Sequence, residues 1–216
     1  MTGKFITLEG VEGAGKTTCL KHVEKRIKEA GIDLCVTREP GGTGIGEKIR
    51  EILLDRGNFE ILDETELLLM FAARAQHLNE LIRPTLAADT WVLCDRFTDA
   101  TYAYQGGGRE IAHERIAELE QWVLQGLKPD LTFLLDLPAE VGLERAGQRS
   151  SPDRFESENI AFMERIRSSY LDIARQEPDR VKIIDSSQAL ENVLLQIDEV
   201  LDDLLIVMYL QANESD

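Results

Sequence analysis

Short apolar runs alternate with longer amphipathic segments along most of this 216-residue chain. The short runs are almost continuously apolar, which is typical of strands that are buried on both faces of a sheet. They predict five strands, at 5–9, 34–37, 91–95, 131–136 and 181–185. The longer segments have helical periodicity, at 16–30, 45–55, 64–83, 109–125, 138–148, 157–176 and 189–204. This alternation predicts an α/β fold, a five-stranded parallel sheet with helices on both faces.

The length and charge of the chain limit the classes of protein to which it can belong. The chain is long enough for one sizeable core and shows no interdomain linker, so we expect one domain over residues 1–216. A net charge of −16 argues against nucleic-acid binding, which depends on basic residues that contact phosphates. No apolar stretch reaches the ~18 residues of a membrane span, and the first residues lack an apolar leader. We therefore expect a cytoplasmic protein that binds neither nucleic acid nor membranes.

The segment "GVEGAGKTT" fits the phosphate-binding pattern G-x-x-x-x-G-K-[ST] between Gly10 and Thr17. It follows a predicted strand and begins a predicted helix, which is the context that supports this motif. Its glycines allow successive N–H groups to point into one concavity, and the helix adds the positive end of its dipole. In such loops the lysine, here Lys16, contacts the β- and γ-phosphates, and the hydroxyl of Thr17 binds Mg²⁺. We expect ATP to be bound by Gly10, Val11, Glu12, Gly13, Ala14, Gly15, Lys16, Thr17 and Thr18.

Opposite charges follow the third predicted strand, where Asp95 is succeeded by Arg96. Ligands of parallel α/β sheets bind at the carboxyl ends of the strands. We expect Asp95 to hold the Mg²⁺ shell and Arg96 to give this end of the sheet a positive charge as well, although a surface ion pair would give the same pattern. The chain has no N-K-x-D motif, which a GTPase would need to bind guanine.

Two further groups of residues have chemistry that a nucleotide could use. Phe71 and Arg74 are three residues apart in "LLLMFAARAQHL" and share a helix face, so they could contact a base; Phe71 would equally suit a core. The segment 145–156 places Arg145, Arg149 and Arg154 around a Ser-Ser-Pro turn. We expect it to form a mobile basic lid, with a solvated loop as the alternative.

Five segments together resemble thymidylate kinases of the bacterial type. They are "LEGVEGAGKTT", "TREPGGT", "LLLMFAARAQH", "DRFTDATYAYQGGGR" and "PDLTFLLDLP", in an order and spacing that extend from about Phe5 to Ser187. The resemblance implies the nucleoside monophosphate kinase variant of the P-loop fold. It also implies transfer of the γ-phosphoryl group of ATP to dTMP, with Mg²⁺, by a homodimer.

The resemblance also implies roles for individual residues around the acceptor. Glu12 would bind the 3′-hydroxyl of the sugar, and Tyr104 would crowd its 2′ position. Phe71 would stack on thymine, and Arg74 would bind its O4 atom. The remaining acceptor contacts would be Arg38, Arg96, Thr101 and Gln105, and Pro40 would follow a cis peptide bond.

One departure from the family concerns positive charge at the transferring phosphoryl group. Some members carry an arginine at the position of Gly13, which this chain lacks. We therefore expect the lid to supply that charge alongside Lys16 and Arg96. Arg154 is favoured over Arg149, because Phe155 and the helix that follows could fix its position.

Two other classes of function remain open on the sequence. A related nucleoside or nucleoside monophosphate kinase would share the P-loop, and in a nucleoside kinase Glu12 would be the base that activates a hydroxyl. A non-catalytic nucleotide-binding protein would bind ATP without using an acceptor.

Overall fold

One parallel sheet of five strands organises the chain, in a computed structural model that describes residues 3–55, 61–147, 154–155 and 158–213. The strands are β1 (Phe5–Glu9), β2 (Leu34–Arg38), β3 (Trp91–Asp95), β4 (Leu131–Asp136) and β5 (Val181–Asp185). Their order across the sheet is β2-β3-β1-β4-β5, and all neighbours are parallel. The predicted sheet is confirmed, and its topology places the carboxyl end of β1 at the centre, between β3 and β4.

Helices cover both faces of this sheet. Successive side chains of each strand point to opposite faces, so both faces carry apolar residues that need to be covered. Ile6 and Leu8 of β1 pack in one core cluster with Val23 and Ile27, whereas Phe5 packs in a second cluster on the other face. The helices are α1 (Lys16–Glu29), α2 (Gly44–Leu54), α3 (Asp63–His77), α4 (Arg83–Ala87), α5 (Thr98–Thr101), α6 (His113–Leu124), α7 (Ala139–Gly147), α8 (Ile160–Gln176) and α9 (Leu190–Asn213). In the described part of the chain, no helix combines the length and the apolar character that crossing a membrane requires.

The predicted helices differ from the structure mainly after β3. Short α5 continues into a π-helical segment, Tyr102–Gly108, so the helix predicted at 109–125 begins only at His113. Three consecutive glycines suggest a turn in sequence, but here they allow close packing on α8. A Cβ atom on Gly108 would lie 2.6 Å from the Phe162 ring. A second π-helical segment, Leu78–Ile82, joins α3 to α4 and lies within the helix predicted at 64–83, which α4 continues to Ala87.

Candidate active site

The P-loop connects β1 to α1 and wraps around the side chain of Lys16. Gly15 caps α1 with a φ of 88°, a left-handed conformation that favours glycine. The Nζ atom of Lys16 donates to the carbonyl oxygens of Gly10 and Val11, at 3.0 Å each. Burial, followed by the charge of Arg96, lowers the pKa of Lys16. The ammonium group is therefore held at the mouth of the loop, where an anion would stabilise its charge.

A cavity of about 270 Å³ lies beside this loop, at the carboxyl ends of β1 and β3. The structure brings most of the predicted residues to it: Glu12, Gly13, Ala14, Gly15, Lys16, Thr17, Arg74, Asp95, Arg96, Thr101, Tyr104 and Gln105. Sequence reasoning missed Glu39, Arg50, Met70, Phe97 and Phe155, which also line it. For one of these residues, Glu39, the sequence held a signal in the segment "TREP". The Glu39–Pro40 peptide bond is cis, as the family resemblance implied.

Glu12, Arg96 and Tyr104 form a connected group on one wall of the cavity. Arg96 has a left-handed backbone (φ 68°), and its guanidinium donates to Glu12 Oε1 and, at 2.8 Å, to the Tyr104 hydroxyl. The Tyr104 hydroxyl donates to Glu12 Oε1 at 3.2 Å. Burial raises the pKa of Glu12, but the charges of Arg96 and Lys16 outweigh it and lower the pKa to about 2. Glu12 is therefore ionised, and such a weakly basic carboxylate is poorly suited to act as a general base.

Arg74 is buried on another wall, and its charge is compensated inside the protein. Its nitrogens donate to Glu39 Oε2 at 2.7 Å, Thr101 Oγ1 at 2.9 Å and the carbonyl oxygen of Phe97 at 3.0 Å. The other Glu39 oxygen lies 2.9 Å from His77 Nδ1. The counter-ion of Arg74 is thus Glu39, which lies in the segment after β2 and not in the helix that carries Arg74.

The structure places Phe71 beside Arg74 but inside the core, and its contact with a base stays a prediction. Phe71 is 2% exposed, belongs to the second core cluster and is absent from the cavity wall. Its ring lies beneath Arg74, with the guanidinium carbon 5.0 Å from the ring centroid. Met70, four residues before Arg74, lines the cavity.

The end of β3 carries two buried polar atoms that lack partners in the described residues, Asp95 Oδ1 and Arg96 Nε. An unsatisfied buried carboxylate oxygen is costly unless a donor or cation completes it. Thr17 borders the same cavity and offers a hydroxyl. A carboxylate and a hydroxyl are oxygen ligands of the kind that Mg²⁺ prefers, so these residues fit the ion.

Several predicted residues lie away from this cavity. Arg38 is exposed and donates to Glu47 Oε2 at 2.8 Å, whereas Arg50, which does line the cavity, donates to the carbonyl oxygen of Pro40. Arg154 donates to Glu66 and to the carbonyl oxygen of Leu53. Arg149 and most of the predicted lid at 145–156 lie outside the described residues.

Comparison with known proteins identifies the family. A family model described as thymidylate kinase matches residues 8–197, which is most of the chain. The chain belongs to the thymidylate kinase family. Thymidylate kinases of Ectopseudomonas mendocina and Pseudomonas syringae pv. tomato are 56% and 55% identical to it over 205 residues. Each alignment covers 95% of this chain and 98% of the relative.

A solved structure supports the same assignment. The crystal structure of thymidylate kinase from Ehrlichia chaffeensis matches with a TM-score of 0.76 and 31% identity, over 93% of this chain and 100% of that one. The chain is therefore a dTMP kinase with the P-loop nucleoside monophosphate kinase fold, and it transfers the γ-phosphoryl group of ATP to dTMP to form dTDP. The predicted fold, family and activity are confirmed.

Proposed function

We propose that the cavity beside the P-loop binds dTMP, with its phosphate near Arg96 and Arg50 and its base near Arg74 and Gln105. The observation that carries this orientation is the Nε atom of Arg96, which is buried next to Asp95 at the end of β3 and has no partner in the part of the chain that the structure describes. Burial, followed by the charges of Arg38 and Arg96, lowers the pKa of Arg50, which indicates that this end of the cavity is rich in positive charge. The other end is bordered by Thr101, Met70 and Phe97, which suit a neutral base.

The main obstacle to the reaction is the repulsion between two phosphate groups. Two unit charges 4 Å apart repel by ~1 kcal/mol in water and ~4 kcal/mol at an effective dielectric constant of ~20. Lys16 and Arg96 offset this repulsion and hold donor and acceptor in line. The attacking phosphate oxygen is already ionised near neutral pH, so no general base is needed. Glu12 serves the acceptor sugar instead.

Thr17 and Asp95 would hold Mg²⁺, since the carboxylate oxygen of Asp95 is buried without a partner in the described part of the chain. The ion, when bound, supplies positive charge to the donor phosphates. A smaller cavity on the outer side of the P-loop supports a place for the donor nucleoside, since Thr18, Arg145, Ser186 and Gln188 border it. Arg149 stays a candidate for the lid arginine that would supply positive charge to the transferring phosphoryl group. The cytoplasmic location of the protein stays a prediction.

The acceptor preference is tested with an ATP-coupled assay across dTMP, dUMP, UMP, CMP, AMP and thymidine. We expect the highest kcat/KM with dTMP and no turnover of thymidine. Turnover of thymidine would identify a nucleoside kinase, and ATP binding without turnover of any acceptor would identify a non-catalytic protein.

We expect Glu12→Gln to raise the KM for dTMP about tenfold and to change the KM for ATP by less than about twofold. The carboxylate joins Arg96 to Tyr104 on the acceptor wall, whereas the ATP phosphates contact the loop backbone and Lys16. Steady-state kinetics with each substrate varied in turn measure both constants. Glu29→Gln, which changes an exposed carboxylate paired with Lys25, is the matched control.

The pH profile of the same variant separates binding from base catalysis. Because the pKa of Glu12 is about 2, the carboxylate does not titrate near neutral pH. The kcat of the unchanged enzyme and the kcat of Glu12→Gln should therefore depend on pH in the same way. Loss of an acidic limb from the profile in Glu12→Gln would show that Glu12 is a base.

We also propose a homodimer that forms through α3 and α6. Trp122 is 76% exposed and Leu68 is 56% exposed, and a mainly apolar groove that includes Ala72, Ala75 and Val123 lies between them. An exposed tryptophan beside such a groove is characteristic of a protein interface. A second copy of the chain would cover the groove on both partners at once.

Trp122→Glu should convert the dimer into a monomer, because it places a charge in the centre of the proposed interface. Light scattering after gel filtration measures the mass of the particle. Leu195→Glu changes an exposed leucine on α9, away from the groove, and should leave the dimer intact. A Trp122→Glu protein that stays dimeric would place the interface elsewhere.

A further inference from the structure

Glu66, in the first turn of α3, is a fully buried carboxylate at the meeting point of three segments. Its Oε1 atom accepts from Gln105 Nε2 at 2.7 Å. Its Oε2 atom accepts from the guanidinium of Arg154 and, at 3.4 Å, from that of Arg109. A buried carboxylate needs such partners, and the two guanidinium groups bring donors to the same oxygen. We call these four residues the Glu66 cluster.

The cluster reaches the proposed acceptor cavity through Gln105. This side chain is 1% exposed and borders the cavity, and its Oε1 atom has no hydrogen-bond partner among the residues that the structure describes. The NH₂ group of Gln105 donates to a carboxylate oxygen of Glu66, so it is turned toward Glu66. The amide oxygen is then the group that Gln105 offers to a ligand.

Arg154 strengthens this arrangement from the other side. Its Nε atom donates to the carbonyl oxygen of Leu53, at the end of α2, at 3.0 Å. The next residue, Phe155, is 5% exposed, lines the cavity and meets the Tyr104 ring edge-on at 5.6 Å. Arg154 is thus held against the acceptor side of the site by a buried counter-ion, and its guanidinium does not border the cavity.

We propose that Glu66, with Arg154 as its counter-ion, is a positioning residue that determines base selectivity by fixing the orientation of the Gln105 amide. An amide oxygen facing the base accepts from a ring N–H, which thymine and uracil carry at N3. Cytosine presents an unprotonated N3 acceptor there, which would face the oxygen without a hydrogen bond. This inference rests on the proposed acceptor site and gives Arg154 a role other than the expected contact with the transferring phosphoryl group.

The test compares dTMP with dCMP. In Glu66→Gln the new amide can offer either its oxygen or its NH₂ group, so the orientation of Gln105 is no longer fixed. We expect the ratio of kcat/KM for dTMP over dCMP to fall at least about tenfold, with the KM for ATP changed by less than about twofold. Arg154→Met should lower the ratio in the same direction, and the two changes together should be less than additive. A merely structural role would lower both specificity constants equally and leave the ratio unchanged.

Controls make each failure distinguishable. Arg175→Met removes an exposed arginine paired with Asp172 and should leave the ratio unchanged. If Glu66→Gln folds poorly, as measured by its melting temperature, Glu66→Asp keeps the charge and should keep the ratio within about threefold. An unchanged ratio in Glu66→Gln while Gln105→Ala lowers it would overturn the inference. If Gln105→Ala also leaves the ratio unchanged, the cavity itself is not the base site.

The Arg154→Met variant has an outcome of its own. Loss of kcat in Arg154→Met without any change in the ratio would mean that Arg154 contacts the transferring phosphoryl group, and it would overturn the role assigned to Arg154 here.

Discussion

Lys16→Met is expected to lower kcat by about 10³-fold or more while the protein stays folded. In the proposed site, Lys16 would supply the positive charge that the P-loop places closest to the transferring phosphoryl group. In the structure its Nζ atom contacts two carbonyl oxygens of the same loop, which hold the side chain in position before ATP binds. Methionine keeps the length and the apolar stem of the side chain, so it removes the charge and little else.

The measurement is a coupled assay of ADP formation, together with the melting temperature of each protein. Lys21→Met is the matched control, because Lys21 lies on the exposed side of the same helix. It should retain normal kinetics. A Lys16→Met enzyme that keeps more than about a tenth of its kcat would mean that the P-loop is not the phosphate site.

The sheet and the P-loop were predictable because their signals are local. Strands buried on both faces need continuous apolar runs, and a phosphate loop needs its glycines, lysine and threonine within eight successive positions. The position of Asp95 and Arg96 followed from the same logic, since the residue after a buried strand of a parallel sheet lies at the ligand-binding edge.

Other features depend on contacts between distant parts of the chain. Residues three and four apart both share a helix face, so the pattern could not decide whether Phe71 or Met70 borders the cavity beside Arg74. The partner of Arg154 is Glu66, 88 positions away in the sequence, and only the fold brings them together. The π-helical turn after α5 depends on glycine packing against α8, which no local propensity encodes.

Gly13→Ala is expected to lower kcat/KM for ATP at least about 100-fold and to destabilise the protein by about 3 kcal/mol or more. Gly13 has a φ of 73°, which L-residues other than glycine adopt at a cost. A Cβ atom there would lie 2.0 Å from the carbonyl oxygen of Gly142 and 2.7 Å from its carbonyl carbon. The clash is with backbone atoms of α7, which cannot move away as a flexible side chain could. The P-loop would have to move away from α7 and distort the N–H groups that bind phosphate.

The same contact bears on the P-loop arginine that the family resemblance implies for some members and that this chain lacks. An arginine at position 13 would meet α7 with its first side-chain atom, and a Cβ atom on Gly142 would in turn lie 2.5 Å from the carbonyl oxygen of Glu12. We therefore expect Gly13→Arg to be as inactive as Gly13→Ala, although it adds a positive charge next to the γ-phosphate. Gly44→Ala is the control, since a Cβ atom on Gly44 meets nothing within 4 Å. Steady-state kinetics and melting temperatures decide the question. If Gly13→Arg were more active than Gly13→Ala, charge rather than backbone contact would be what limits this position.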